Sequence, residues 1–262
     1  MSLGTHALER HAQALDQAQR KGIPIAQPAG EDRLDLAQAY QVQARLTALR
    51  CARGESVVGL KLAFTNRKTM VRVGVTDPVS CSLCSGMQIA RGGVIGLAGH
   101  LRLRAEPEVA FLLRSALPPD ATWEQALAAI EGVATAIEIV DSRYRDFHFH
   151  LPDMVADSAS ACAFVLGDWR ALRADLDLRQ LAVALEVDGQ AVAAGSTAAI
   201  LDHPVHALQA AARLAAANGQ PLGAGSILMA GSATDPFVLQ PGQRVLARIE
   251  QLGTVEFSVE PD

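Results

Sequence analysis

The chain has 262 residues, enough for one large domain or for a core with a small appendage. Half of it is hydrophobic and 19% is charged, which excludes a disordered polymer; only 4% is aromatic, so the core must rest largely on Ala, Val, Leu and Ile. Lys and Arg number 23 against 28 Asp and Glu, a net charge of −5, which argues against a nucleic-acid binder.

The first residues, Met1 to Arg20, mix His, Glu, Arg, Asp and Gln and do not form a signal-peptide core, and no apolar run approaches the roughly 18 residues of a membrane span. Four cysteines, Cys51, Cys81, Cys84 and Cys162, are too few for a disulfide scaffold. Together these features predict a soluble protein of the reducing cytoplasm, without a membrane partner.

Leu8, His11, Leu15 and Ala18 repeat at helical spacing until Gly22-Ile23-Pro24 breaks the run. Leu36, Ala39, Val42, Leu46 and Leu49 form a second stripe that stops near Gly54. From Val57 the period changes: Val57 to Phe64 is apolar at nearly every position and too short for a core helix, so it reads as a buried strand. Further strands are expected at about Leu101–Leu113, Thr135–Val140, Ala161–Leu166, Leu181–Val187, Ser226–Ala230, Val245–Ile249 and Thr254–Val259. A helix opens with the capping-box pattern Thr122-Trp123-Glu124-Gln125, and an alanine-rich one runs from Pro204 to about Asn218. Strands that follow one another through turns such as Asp188-Gly189 and Pro241-Gly242 favour α+β over a βαβ succession. The division expected is a helical N-terminal region over 1–72 and a β-rich core over 73–262, joined by the strand that carries Lys61. There is no internal repeat and no long linker.

Strand alternation between Arg104 and Leu113 puts Glu106 and Glu108 on one face, about 7 Å apart at Cα, and Val109, Phe111 and Leu113 on the other. Glu138 interrupts the otherwise apolar Thr135–Val140. A buried, ionised carboxylate without a partner costs several kcal/mol, so each must be paired, protonated or bound to metal. Three glutamates without a matching thiolate or imidazole set would suit Mg²⁺ or Mn²⁺ better than zinc. The plainer alternative is that they face solvent or pair with Arg102, Arg104 or Arg143, and Pro107 hints at an edge or bulge. Lys61 shares its face with Gly59 and Ala63, a trough in which an ammonium could meet a ligand or from which it could snorkel to water.

The chain resembles the hydratase/decarboxylase branch of the fumarylacetoacetate hydrolase superfamily along almost its whole length. The carrying segments are Val58-Gly59-Leu60-Lys61, Gly74-Val75, Glu106-Pro107-Glu108-Val109-Ala110, Glu138 to Arg143, Val155 to Ser160, His203-Pro204 and Leu252 to Val255. The resemblance implies a mixed β-roll core behind a small helical region. It also implies a divalent metal on Glu106, Glu108 and Glu138, Lys61 beside the substrate and Ser160 near the ligand. Arg143 and Asp157 would either bind ligand or orient the glutamates. A small 2-oxo acid substrate, a homo-oligomer and a complex with a cognate hydratase are implied as well.

Two activities occur in that branch: hydration of 2-hydroxypenta-2,4-dienoate, and decarboxylation of 2-oxohex-3-enedioate (4-oxalocrotonate) in meta-cleavage degradation of aromatic compounds. Hydratases carry Gln-Pro-Asp-Phe-Gly where this chain has Asp77-Pro78-Val79-Ser80-Cys81, and Val79 cannot do acid–base work. Gly59-Leu60-Lys61 and Asp141-Ser142-Arg143-Tyr144 resemble decarboxylase forms. The expected activity is therefore decarboxylation, with Val79 in the apolar part of the substrate pocket. Hydration by a relocated acid–base group is the first alternative, and a non-catalytic partner subunit the second. Ser158 stands where the family usually has Asn.

Cys81 and Cys84 have the spacing of a zinc half-site or redox pair but no second pair, and read as ordinary thiols in a loop bordering the pocket. Phe147-His148-Phe149-His150 alternates like a strand, with the two histidines lining one face.

Overall fold

In a computed structural model, residues 3–147 and 149–262 are described, and they form an α+β fold around two sheets. In chain order the helices are α1 (Thr5–Lys21), α2 (Leu36–Cys51), α3 (Arg67–Val73), α4 (Trp123–Ala128), α5 (Leu151–Ala156) and α6 (Pro204–Ala217). The strands are β1 (Val57–Ala63), β2 (Val79–Cys84), β3 (Gln88–Ile89), β4 (Val94–Ile95), β5 (Arg104–Leu113), β6 (Ile130–Val140), β7 (Ala161–Leu166), β8 (Ala182–Val187), β9 (Gln190–Ser196), β10 (Ile227–Ser232), β11 (Phe237–Val238), β12 (Arg244–Ile249) and β13 (Gly253–Val259). Among the described residues no helix is long and apolar enough to cross a membrane.

The larger sheet runs β2-β1-β10-β5-β6-β7-β3, with β11 also paired to β5; the smaller runs β4-β13-β12-β8-β9. β1 lies parallel to β10, and Gly59 permits that pairing: a Cβ there would stand 1.8 Å from the Ile227 carbonyl oxygen. Leu60 and Leu62 of β1 and Val109, Phe111 and Leu113 of β5 face a core covered by α4 and α6. Each such side chain contributes about 1.5–3 kcal/mol through burial. Ile137 and Ile139 of β6 pack against Val245, Ala247, Val255 and Phe257 of the smaller sheet. The N-terminal helices use Leu8, Leu15, Val42 and Leu46 to cover Val79, Cys81 and Tyr144.

Helix ends follow local chemistry. Asp35 and Gln38 form a reciprocal capping box at α2, as Thr122 and Gln125 do at α4. α1 ends on Gly22 in the left-handed region, one residue before the exposed Ile23.

Several sequence expectations need correction. Cys81 and Cys84 do not sit in a loop: they belong to β2, which is buried throughout and antiparallel to β1, with Cys81 opposite Lys61. Three residues apart in a strand, the two thiols point to opposite faces and fall in different apolar clusters, so they form neither a redox pair nor half of a zinc site. The alternating serines hid this strand; Ser82 Oγ donates to Gln220 Oε1 at 3.0 Å, and Ser80 Oγ accepts from Asn218 Nδ2 at 3.5 Å. β5 starts at Arg104, not Leu101, because the Leu101 and Arg102 amides donate to the Asp141 carboxylate at 2.8 and 2.9 Å. Phe147 lies in a 3₁₀ turn and His150 caps α5, so that segment is no strand; His148 lies outside the described residues. Helices α3 and α5 and strand β9 were not expected. All are short or rich in alanine and glycine, with weak periodicity.

Candidate metal centre

Glu106 and Glu138 are direct cross-strand partners, and Glu108 is the next same-face residue of β5. One oxygen from each of the three lies within 4.8 Å of the others. Like charges facing across a ladder are destabilising, and here they are also withdrawn from water. Glu108 and Glu138 are fully buried, and Glu106 retains partial exposure to a cavity of about 320 Å³. Burial first, then the neighbouring Glu138 and Glu106 carboxylates, holds the Glu108 carboxyl well above the usual range. Burial and Glu138 push Glu106 up to about 7.

Lys61 provides the opposing charge. Its Nζ stands 2.8 Å from Glu138 Oε1 and donates to the Ala159 carbonyl at 2.8 Å, with the side chain 2% exposed. It does not snorkel. Burial pushes the ammonium pKa down, but Glu138, with Cys81 and Glu106, more than reverses this, so Lys61 stays protonated. Opposite it, burial drives the Cys81 thiol up to about 12, which keeps it neutral despite the adjacent lysine.

The site has unfilled valence. Among the described residues, four buried side-chain polar atoms lack a hydrogen-bond partner, and three of them, Glu108 Oε1, Glu138 Oε1 and Arg104 Nε, belong to residues of this cavity wall. Glu138 Oε1 meets Lys61 as an ion pair, outside hydrogen-bond geometry. The other Glu108 oxygen accepts from the Gly231 amide at 2.8 Å. Gly231 has φ +100°, and a Cβ there would lie 2.0 Å from Thr65 Oγ1, so glycine is what lets that amide reach the carboxylate. Hard oxygen ligands, excess negative charge and orphaned lone pairs fit a divalent cation of the magnesium or manganese kind.

Pro107, within a central strand, is accommodated by a break in its neighbour. The register of β10 shifts between Met229 and Ser232, and the Pro107 carbonyl accepts from the Ala233 amide at 3.1 Å.

Ser160 lines the cavity at the end of a turn in which Ser158, Ala159 and Ser160 all have positive φ, 51°, 46° and 59°. Such conformations cost of order 1–3 kcal/mol each without glycine and persist only when the surroundings impose them. Arg143 and Asp157 impose them. The Arg143 guanidinium bonds the Asp157 side chain and its carbonyl, and also the Asp141 and Ala161 carbonyls at 2.7 and 2.9 Å. Neither residue lines the cavity, so the ligand-contact option for this pair gives way to a positioning one: they fix the turn whose Ala159 carbonyl receives Lys61. Val79 is likewise absent from the cavity wall. It pairs with Ala63 in the ladder and packs under the N-terminal helices, because β2 is a strand whose side chains turn toward them.

The remaining wall is mostly apolar, Val73 of α3, Val140, Phe147, Phe149 and Met154 among it, and its polar members include Thr65, Arg72, Ser232, Thr234 and Asp235. Gly231 escaped the sequence reading. Arg104 entered it only as a possible ion-pair partner of the glutamates, and among the described residues it forms no such pair; it stands two residues before Glu106 on the same face of β5.

The fumarylacetoacetate (FAA) hydrolase C-terminal family model matches residues 70–260. The chain is 44% identical over 251 residues to a 4-oxalocrotonate decarboxylase of a Pseudomonas species, covering 96% of this chain and 97% of that one. It is 34% identical over 252 residues to the 2-hydroxyhexa-2,4-dienoate hydratase of Comamonas testosteroni, covering 94% and 95%. Among solved structures, 4-oxalocrotonate decarboxylase from Pseudomonas putida G7, complexed with magnesium and adipate, superposes with a TM-score of 0.93 at 29% identity, covering 98% of this chain and 99% of the other. With its glutamate trio on the large sheet and this similarity over nearly its full length, the chain belongs to the fumarylacetoacetate hydrolase family.

Proposed function

We propose that this protein is a divalent-cation-dependent carbon–carbon lyase that decarboxylates a 2-oxo-3-enedioate of the 4-oxalocrotonate type, in meta-cleavage breakdown of aromatic compounds. The observation that carries the reading is the trio Glu106, Glu108 and Glu138, mutually within 4.8 Å, with buried oxygens that no protein donor satisfies. The similarity to decarboxylases named for that substrate supports it.

A Mg²⁺ or Mn²⁺ held by the three glutamates would supply positive charge against the 2-oxo acid end of the substrate and the dienolate formed from it. Loss of the distal carboxylate sends its bonding electrons through the 3,4 double bond toward the 2-oxo group, so no protein nucleophile is required. Lys61 donates to the Ala159 carbonyl and is ion-paired with Glu138, and its fixed positive charge beside the trio would offset the developing anion. Ser160 offers a hydroxyl beside the same end. Val140, Phe147, Phe149 and Met154 limit water on the rest of the chain, which weakens solvation of the departing carboxylate. Arg143 and Asp157 hold the turn that positions Lys61 and Ser160.

Hydration of a 2-hydroxydienoate is the second reading, favoured by the hydratase relatives and by Asp235, a cavity-wall carboxylate outside the trio able to act as the relocated acid–base group. The test is to assay the Mg²⁺-loaded protein for CO₂ release from 2-oxohex-3-enedioate and for hydration of 2-hydroxypenta-2,4-dienoate. CO₂ release lost in Lys61→Met supports decarboxylation; hydration without CO₂ release moves the assignment to Asp235. If neither Mg²⁺ nor Mn²⁺ binds, and Glu108→Ala behaves as wild type does, the catalytic reading falls and a partner-subunit role replaces it. Self-association, a complex with a cognate hydratase and a cytoplasmic location belong to the same proposal, and sedimentation with and without such a hydratase checks the assemblies.

A further inference from the structure

Arg104 occupies an unusual electrostatic position. It is partly buried in the wall of the glutamate cavity, its Nε receives no acceptor, and among the described residues its guanidinium makes no hydrogen bond or ion pair. Its Cζ lies 4.2 Å from the centroid of the Phe147 ring, a cation–π contact that fixes the group in place while leaving its donors unused. Withdrawing a guanidinium from water without a counter-charge is unfavourable, and its fork geometry matches a carboxylate. The other cavity cations differ: Lys61 is committed to Glu138 and Ala159, and Arg72 is exposed at the rim.

The strand register gives the distance. Arg104 pairs with Val140, one same-face row from the Glu106–Glu138 pair. Such rows are about 7 Å apart. In a six-carbon 2-oxo diacid, C2 and C6 are separated by four carbon–carbon bonds, about 5 Å. With the 2-oxo acid end at the glutamate row, the second carboxylate arrives at the row of Arg104.

We propose that Arg104 is the specificity-determining residue that receives the distal carboxylate of a dicarboxylic 2-oxo acid and thereby selects diacids over monoacids. The proposal rests on the reading of the glutamate trio as a metal centre for 2-oxo acids. The contact exists in the bound substrate and disappears as CO₂ departs, so it aids capture and does not lower the barrier from the bound state. Arg104→Met therefore raises KM for the diacid while kcat stays level or rises.

The test titrates Mg²⁺-loaded protein calorimetrically with 2-oxoadipate and with 2-oxohexanoate, which share the chelating end and differ in the far carboxylate. Wild type is expected to prefer 2-oxoadipate by at least about tenfold. Arg104→Met should weaken 2-oxoadipate by roughly 10- to 100-fold and leave 2-oxohexanoate within about threefold, and Arg104→Lys should fall between. Undiminished 2-oxohexanoate binding also certifies that the variant is folded. If wild type binds both acids equally, or Arg104→Met weakens both by one factor, the metal-centre reading stands and the assignment of Arg104 is overturned. Loss of the preference in Arg72→Met but not in Arg104→Met overturns it too. If Mg²⁺-loaded wild type binds neither acid, the metal-centre reading itself fails, and the assignment with it.

Discussion

Two clusters of buried charge lie close together in this molecule, and they are built on opposite principles. Around Arg143, each charge meets its complement: the guanidinium is spent on Asp157 and on three backbone carbonyls, and Asp141 accepts two amides and lies 3.4 Å from His100. Around Lys61, three carboxylates face one ammonium, and two buried oxygens accept no hydrogen bond. A satisfied cluster fixes a backbone; an unsatisfied one is a site awaiting a ligand of opposite charge. Burial alone does not separate function from structure here, because Asp157 and Glu108 are equally inaccessible. The count of unmet partners does.

That contrast can be broken by experiment. Removing a member of the closed cluster should hurt most. Asp157→Ala leaves Arg143 buried without its counter-charge and is expected to cost about 3–5 kcal/mol of stability in denaturant unfolding. It also releases the left-handed turn at 158–160. A cost below about 1 kcal/mol would show that the carbonyl contacts suffice.

In the open cluster the sign should reverse. Without metal, Glu108→Gln removes the cost of holding that buried carboxyl neutral beside Glu138 and Glu106, and is expected to stabilise the protein by about 1–2 kcal/mol. The same variant should lose the rise in Tm that Mg²⁺ gives wild type, a rise worth about 2.7 kcal/mol at a hundredfold excess over Kd. Thermal scans with EDTA and with Mg²⁺ read both effects. If Glu108→Gln destabilises the metal-free protein, the trio is not in electrostatic excess.

A pH scan sharpens the distinction further. The hydrogen bonds of His100 to Asp141 and to Cys162 raise its pKa to about 10. A raised folded pKa means that the stabilisation is complete below the ordinary histidine value, about 6.5, and is lost as pH rises through about 10. Tm of the metal-free protein should therefore fall between those limits, and that part of the fall should vanish in His100→Gln. An unchanged profile in the variant would remove His100 from the closed cluster.

The smallest effect concerns Ser158. The family usually places Asn here, and Asn tolerates the left-handed region better than Ser does. With φ at +51° and a cavity of about 10 Å³ bordered by Ser158, Gln19 and Ser82, Ser158→Asn should fit and stabilise by about 0.5–1 kcal/mol. Calorimetry measures it, and a lowered Tm would mean that the cavity cannot take the longer side chain.

Much of the site was legible in the residue pattern. Strand alternation put Glu106 and Glu108 on one face, and an acidic residue inside the apolar 135–140 run marked Glu138, because period-two geometry depends only on local backbone. The long helices α1, α2 and α6 were visible for the same reason, each carrying enough turns for an apolar stripe to emerge. Strand β2 was not, since its Ser-Cys-Ser alternation acquires meaning only from the side chains of Asn218 and Gln220 that meet it. Val79 was misplaced with it.

What the sequence determined by itself is the ligand chemistry: oxygen donors, a lysine, and no thiolate or imidazole set to compete. The tertiary structure decided the meeting. In a flat sheet β1 and β6 would stand three spacings, roughly 14 Å, apart. The curled sheet brings Lys61 Nζ within 2.8 Å of Glu138. The Gly231 amide on Glu108, the turn under Lys61 and the unpaired Arg104 likewise join segments distant in sequence. Such contacts are set by how the two sheets and the helices pack, and local periodicity carries no record of them.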